Sequence, residues 1–165
     1  MWQPSRMDHP NPRTARPLPG RPCSVAAGLT LIGDRWALLV VRELLLGFHR
    51  FDELARNTGA PRDRLAARLR DLESCGVLER RQYQERPTRY EYHLTEAGWE
   101  LGPVIQALRT WGDRWAVEEA PMVFHHSCGH DLEAAVTCAH CGEPLRPGEL
   151  VPESRVAGWP VRDRV

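Results

Sequence analysis

The sequence predicts a mainly α-helical domain that carries one small β-hairpin and a short C-terminal appendage. Three observations lead there. Apolar residues recur at three- and four-residue spacing in successive segments. A glycine-containing turn of about three residues separates two of those segments, as in a helix-turn-helix. Two short runs with alternating apolar residues then flank the polar tip Glu85-Arg86-Pro87.

Residues 1–22 hold six Pro and four Arg with almost no periodic apolar residue, and read as a flexible arm. Val25, Leu29 and Ile32 then follow at i, i+4 and i+7, the stripe of an amphipathic helix that Gly33 ends. Asp34 is placed to cap the next helix, its carboxylate accepting from exposed backbone N–H groups. That helix, residues 35–46, is apolar on most sides through Trp36, Leu38, Leu39, Val40, Val41, Leu44 and Leu45. Such a helix belongs at the buried centre of a domain. Gly47 stops it, and a short helix over residues 50–57 turns Phe51 and Leu54 inward. Thr58-Gly59-Ala60 is the turn, and Pro61 opens a fourth helix at the position that best tolerates proline. This helix runs to Ser74 with Leu65, Leu69 and Leu72 on one stripe, and closes at Gly76. Strands over residues 77–84 and 88–94 make the hairpin, with Tyr90, Tyr92 and Leu94 on one face. Thr95 then caps a long helix that reaches about Trp115, kinked near its start by Gly102-Pro103.

A chain of 165 residues holds one domain of ordinary size plus tails. The division read from the pattern is an arm over 1–22, a main domain over 23–120, a Cys/His module over 121–150 and a tail over 151–165. Net charge is zero but unevenly spread: residues 23–90 carry 12 Arg against 9 acids, while residues 91–120 carry 2 Arg against 6 acids. A basic front half fits a surface that meets phosphate. All 22 basic residues are Arg, which points to genome composition more than to function, although Arg also binds phosphate and guanine well. No apolar run reaches the length of about 18 residues expected of a membrane span. The start, Met1-Trp2-Gln3-Pro4, lacks the apolar core of a signal peptide, so a cytoplasmic protein without a membrane partner is expected. In that compartment the five Cys read as thiols or metal ligands before disulfides. No catalytic triad, phosphate loop or carboxylate pair stands out, and an enzyme is not expected.

The fourth helix carries the candidate reading face. With Leu65, Leu69 and Leu72 inward, a rotation of about 100° per residue puts Asp63, Ala67, Arg70 and Ser74 on the opposite side. Arg62 and Arg64 lie near its N-terminal end, which is the end that enters a major groove. Arg68 lies at the edge of the core stripe, placed to reach a phosphate or to brace the fold. An arginine-bearing helix alone is more often a solvated surface. The hairpin shifts that balance, because Arg80, Arg81, Arg86 and Arg89 add four cations that a wing lays along the backbone or minor groove.

These residues together resemble the HxlR-type winged helix-turn-helix regulators, relatives of the MarR group. The resemblance begins at Cys23-Ser24-Val25 and runs through Leu31-Ile32-Gly33-Asp34-Arg35-Trp36 and Leu38-Leu39-Val40-Val41-Arg42-Glu43-Leu44. Arg50-Phe51-Asp52-Glu53-Leu54, Leu65, Arg68-Leu69-Arg70-Asp71-Leu72-Glu73 and Gly76-Val77-Leu78-Glu79-Arg80 follow. The wing matches at Pro87, Arg89-Tyr90-Glu91-Tyr92 and Leu94-Thr95-Glu96-Ala97-Gly98, and the last matches are Pro103-Val104, Leu108 and Trp111-Gly112. The resemblance implies a homodimer built on terminal helices, here through Leu101, Val104, Ile105, Leu108, Trp111 and Trp115. It implies one recognition helix per subunit in successive major grooves of a pseudo-palindromic duplex, with half-sites about 34 Å apart. One departure is Ala66-Ala67, where many relatives carry hydrogen-bonding side chains. Alanine can touch a thymine methyl but cannot hydrogen-bond a base edge, so base reading falls to Arg62, Arg64 and Arg70, with Ala67 beside them. Some relatives sense oxidants through a cysteine at the position of Cys23, which makes that thiol a redox candidate and an oxidant or small molecule a candidate effector. The competing reading of Cys23 is a small apolar residue at a helix start. Cys75 reads as packing.

The module over 121–150 holds His125-His126-Ser127-Cys128-Gly129-His130 and Cys138-Ala139-His140-Cys141-Gly142. Cys138, Cys141 and Cys128, with His130, His126 or His125 as the fourth ligand, would meet the tetrahedral preference of structural zinc. A strand over residues 132–136 would complete a small ribbon. About 30 residues bury too little core to fold alone, and a metal would supply free energy. A disulfide from Cys128, a redox Cys-x-x-Cys and a metal-free hairpin are the alternatives. The rival to DNA binding is an adaptor that uses the same fold and ribbon to bind protein.

Overall fold

The computed structural model describes residues 20–146, 148–159 and 161. The arm expected over 1–22 therefore lies outside the described residues except at its last three positions. Helices α1 (Ser24–Ile32), α2 (Arg35–Leu45), α3 (Phe51–Thr58) and α4 (Arg62–Ser74) come first. Strands β1 (Leu78–Gln84) and β2 (Arg89–Leu94) follow, then α5 (Glu96–Trp99) and α6 (Gly102–Trp115). The chain divides into two units after Gly102. Almost all of α6 thus groups with the residues that follow it, not with the helices before it as expected.

In the first unit α2 is the hub, packed against α1, α3, α4 and β2. Ala37, Val40, Val41 and Leu44 of α2 meet Leu54, Leu65, Leu69, Leu72, Leu78 and Leu94 in one apolar core. The expected cap is present: Asp34 accepts from the Trp36 N–H at 2.8 Å. Pro61 stands one position earlier than expected, as the N-cap of α4, where its missing N–H also costs nothing. The amphipathic stripe of α1 is only partly used. Val25 and Leu29 stay 69% and 56% exposed, so nothing in one described chain covers them.

β1 and β2 pair antiparallel, with Leu78 opposite Leu94 and Arg80 opposite Tyr92, and a bulge between Gln82 and Gln84. Below the hairpin, Gly98 of α5 presses so closely on the Val77 carbonyl and the Leu94 side chain that a Cβ there would collide with both. The long helix expected from Thr95 is two helices instead. Thr95 does cap α5, its hydroxyl oxygen accepting from the Gly98 N–H at 3.3 Å. Pro103 then breaks the run, since its ring would clash with the carbonyl of Trp99, the last residue of α5.

In the second unit, Arg109 of α6 fixes the chain that follows. Its guanidinium donates to Asp113 at 2.9 Å and to the Leu132 carbonyl at 3.2 Å, and lies 5.0 Å from the Phe124 ring centroid. Among the described residues the appendage has no strand over 132–136. It consists of two loops, each closed by a single β-bridge, His125 with Asp131 and Thr137 with Pro144. No single described helix is long and apolar enough to cross a membrane.

Candidate nucleic-acid interface

The turn between α3 and α4 is fixed by three residues. The Thr58 hydroxyl donates to the Leu54 carbonyl at 2.6 Å, and the same oxygen accepts from the Ala60 N–H at 3.2 Å. Gly59 has φ +66°, the left-handed region that only glycine enters without strain. The incoming helix α3 is held from below by a buried carboxylate. Glu43 of α2 is 3% exposed and accepts from Arg42 Nε at 2.9 Å and from Asn57 Nδ2 at 2.8 Å. A buried charge persists only when it is paired and hydrogen-bonded, and here both carboxylate oxygens are engaged. Neither Glu43 nor Asn57 was singled out from the sequence as a support, although a lone acid in so apolar a helix is a usable signal.

Leu65, Leu69 and Leu72 are almost fully buried, so α4 turns its other side to solvent. The four candidate arginines on it fall into three groups. Arg64 and Arg70 are exposed, and their guanidinium groups make no hydrogen bond or ion pair among the described residues. Arg62 is held at 2.7 Å by Asp52 and lies 4.7 Å from the Phe51 ring centroid. Arg68 points inward, with 23% of its side chain exposed, and bridges Asp34 at 3.3 Å and Asp71 at 3.2 Å. Of the two roles expected for it, the structure places it in the brace. Ala67 is half-buried beside them.

On the wing, Arg86 and Arg89 are exposed at the tip and carry no ion pair among the described residues. Arg80 at its root faces back, 3.7 Å from Glu73 of α4 and 4.3 Å from the Tyr90 ring centroid. The wing is tied to the helices by groups the sequence did not single out. The Tyr92 N–H donates to the His49 carbonyl at 2.9 Å, and the His49 and His93 rings stack at 4.4 Å. Arg50 donates to Glu91 at 3.1 Å and covers the Tyr83 ring at 4.9 Å. Cations without an ion pair among the described residues thus stand on α4, at Arg64 and Arg70, and at the wing tip, at Arg86 and Arg89.

The cysteines separate by environment. Cys23 is exposed, and the N–H of Ala26, then that of Val25, holds its thiol below the usual range, with a smaller contribution from Arg21. Burial pushes the Cys75 thiol up, as a packing residue would show. The expected ligand set Cys128, His130, Cys138 and Cys141 is not brought together, and no three His, Cys, Asp or Glu side chains among the described residues gather around one point. Each loop closes on its own backbone instead. His126 accepts from the Cys128 N–H at 3.3 Å, and His125 meets Asp131 at 2.9 Å, so the first loop holds its own polar groups. In the second loop the Cys138 thiol is held low by the N–H of Cys141, then that of His140, then the Cys141 side chain. The residues as placed do not fit a preformed four-ligand zinc site.

Residues 31–120 match the family model described as HxlR-like helix-turn-helix. An HTH-type transcriptional regulator of Mycobacterium tuberculosis, Rv3095, is 43% identical over 133 residues, 79% of this chain and 84% of the relative. The HTH-type regulator sll1512 of Synechocystis is 36% identical over 102 residues, 61% of this chain and 76% of the relative. Among solved structures, the transcription-factor candidate PA1607 superposes with a TM-score of 0.72 at 33% identity, covering 81% of this chain and 95% of its own. The redox regulator HypR in its oxidised form gives 0.52 at 33% identity, covering 56% of this chain and 96% of its own. With the leucine-striped α4, the glycine turn before it and the paired wing after it, the chain belongs to the HxlR-like helix-turn-helix family of transcriptional regulators.

Proposed function

We propose that this chain reads double-stranded DNA as a homodimer, with α4 in the major groove and the wing along the neighbouring backbone. The observation that carries this reading is the pair Arg64 and Arg70, exposed on α4 with no hydrogen bond or ion pair among the described residues. A free guanidinium can bond guanine or phosphate without breaking an ion pair inside the protein. Arg86 and Arg89 add phosphate contacts that set register without reading sequence. The dimer is supported by apolar surface left open on single chains. Val104, Leu108, Trp111 and Trp115 of α6 are 46%, 50%, 60% and 69% exposed, and Leu101 and Ile105 are half-buried beside them. Hydroxyl-radical footprinting on the chain's own upstream DNA tests the reading. Two protected patches about one helical turn apart are expected. A single patch, or none, contradicts it, and binding to protein alone would favour an adaptor.

The same protein is proposed to be switched by thiol oxidation at Cys23 in the cytoplasm. The exposed thiol at the start of α1, which backbone N–H groups hold below its usual range, supports this, as does the similarity to HypR. A reactive thiol needs access and a stabilised thiolate, and exposure with a lowered titration range favours both. Diamide should release wild-type protein from DNA and leave Cys23→Ser bound. Equal retention of both on DNA contradicts the switch.

A further inference from the structure

Cys138 and Cys141 occupy one closed turn of the C-terminal unit. The Gly142 N–H donates to the Cys138 carbonyl at 2.8 Å, and the Cys138 N–H donates to the Glu143 carbonyl at 2.9 Å. The bridge between Thr137 and Pro144 closes the loop outside them, and Gly142 takes φ +77° to let the chain turn. The turn holds the two cysteines three residues apart on one closed loop. Both thiols are free; Cys138 is half-buried and Cys141 is exposed. No third metal-binding side chain among the described residues joins them. Two free thiols in one closed turn without a third ligand, one of them open to solvent, are arranged for exchange more than for metal binding.

We propose that Cys138 and Cys141 form a redox-active dithiol that closes to an intramolecular disulfide by exchange with a low-molecular-weight disulfide. The Cys138 thiolate attacks one sulfur of the oxidant and expels the other as a thiolate, which takes up a proton. The Cys141 thiolate then attacks Cys138 Sγ and expels the second half of the oxidant as a thiol. One disulfide is reduced to two thiols while the protein dithiol loses two electrons and two protons.

The full chain, equilibrated in mixtures of reduced and oxidised glutathione, quenched in acid and alkylated, tests this by peptide mass. The tryptic peptide 115–155, which spans the uncleaved Arg146-Pro147 bond, carries Cys128, Cys138 and Cys141. As the glutathione disulfide fraction rises, that peptide should lose two alkylations and about 2 Da while Cys128 stays alkylated. The variant Cys141→Ser should stop at the mixed state, with one glutathione on Cys138. Full alkylation of all three cysteines at every ratio overturns the proposal. So does a disulfide that includes Cys128, or one equivalent of copurified zinc that blocks oxidation. Unchanged far-ultraviolet circular dichroism of Cys141→Ser keeps its result interpretable.

Discussion

Asn57, in the last turn of α3, donates through Nδ2 to Glu43 Oε2 of α2 at 2.8 Å, joining the helix before the recognition helix to the centre of the core. Glu43 is 3% exposed, so the bond lies where a lost partner cannot be replaced freely by water. Asn57→Ala should cost about 1–3 kcal/mol of folding stability, because one carboxylate oxygen is left buried without its donor. Urea unfolding measures it. A loss below about 0.3 kcal/mol would mean that solvent reaches Glu43.

The arginines of α4 should separate by assay. Arg64→Ala and Arg70→Ala should each lower affinity by about 1–3 kcal/mol at a contacted guanine and leave the melting temperature alone. Arg68→Ala should do the reverse. It breaks two partly exposed ion pairs, uncovers a packed stem and costs about 1 kcal/mol of stability. Removing Arg86 or Arg89 should weaken all DNA sequences alike and reduce the salt slope by about one. If Arg68→Ala loses affinity at unchanged stability, its brace role is wrong.

His93 makes stability depend on pH. Burial first, then the adjacent His49 and the Arg81 guanidinium, hold it below the ordinary histidine value of 6.5. The fold thus favours the neutral ring. Above about 6.5 both folded and unfolded chains are neutral there, and the contribution is complete. As pH falls through that value toward the lowered one, the unfolded chain takes up the proton first and stability falls. Urea midpoints should drop between about pH 7.5 and about pH 5.5 by more in wild type than in His93→Gln. Equal drops in both would remove His93 from the account.

Much of the first unit was legible because it rests on period and local chemistry. The spacing of Leu65, Leu69 and Leu72 oriented α4, and Asp34 announced a helix start. What was not legible depended on distant partners. Arg68 sits at the edge of its stripe, and only the approach of Asp34 from the α1–α2 junction decides that it braces. The break between α5 and α6 was readable from Pro103, but the sequence alone left kink and break undistinguished. The cysteine module was legible only as two turns. Ligand spacing describes a turn, whereas a metal site needs two turns to converge, and here each turn closes on its own backbone.

The uncovered stripe of α6 predicts an oligomer that one charge should split. Trp111 is 60% exposed in the single chain. Trp111→Glu would place a carboxylate inside the proposed interface and should raise the dimer dissociation constant at least about tenfold, a cost above about 1.4 kcal/mol. Sedimentation equilibrium reads this directly. A variant with the wild-type mass distribution would place the dimer elsewhere.

The most direct test of the central claim is fluorescence anisotropy of the full chain on its own upstream duplex across a salt series, repeated with Arg64→Ala/Arg70→Ala. Wild-type affinity should fall steeply as salt rises, since phosphate contacts release counterions, and it should exceed affinity for a scrambled duplex. The double variant should keep most of the salt dependence from the wing but lose that preference. Salt-independent binding, or equal discrimination by wild type and double variant, would contradict the reading of α4 as the element that recognises sequence.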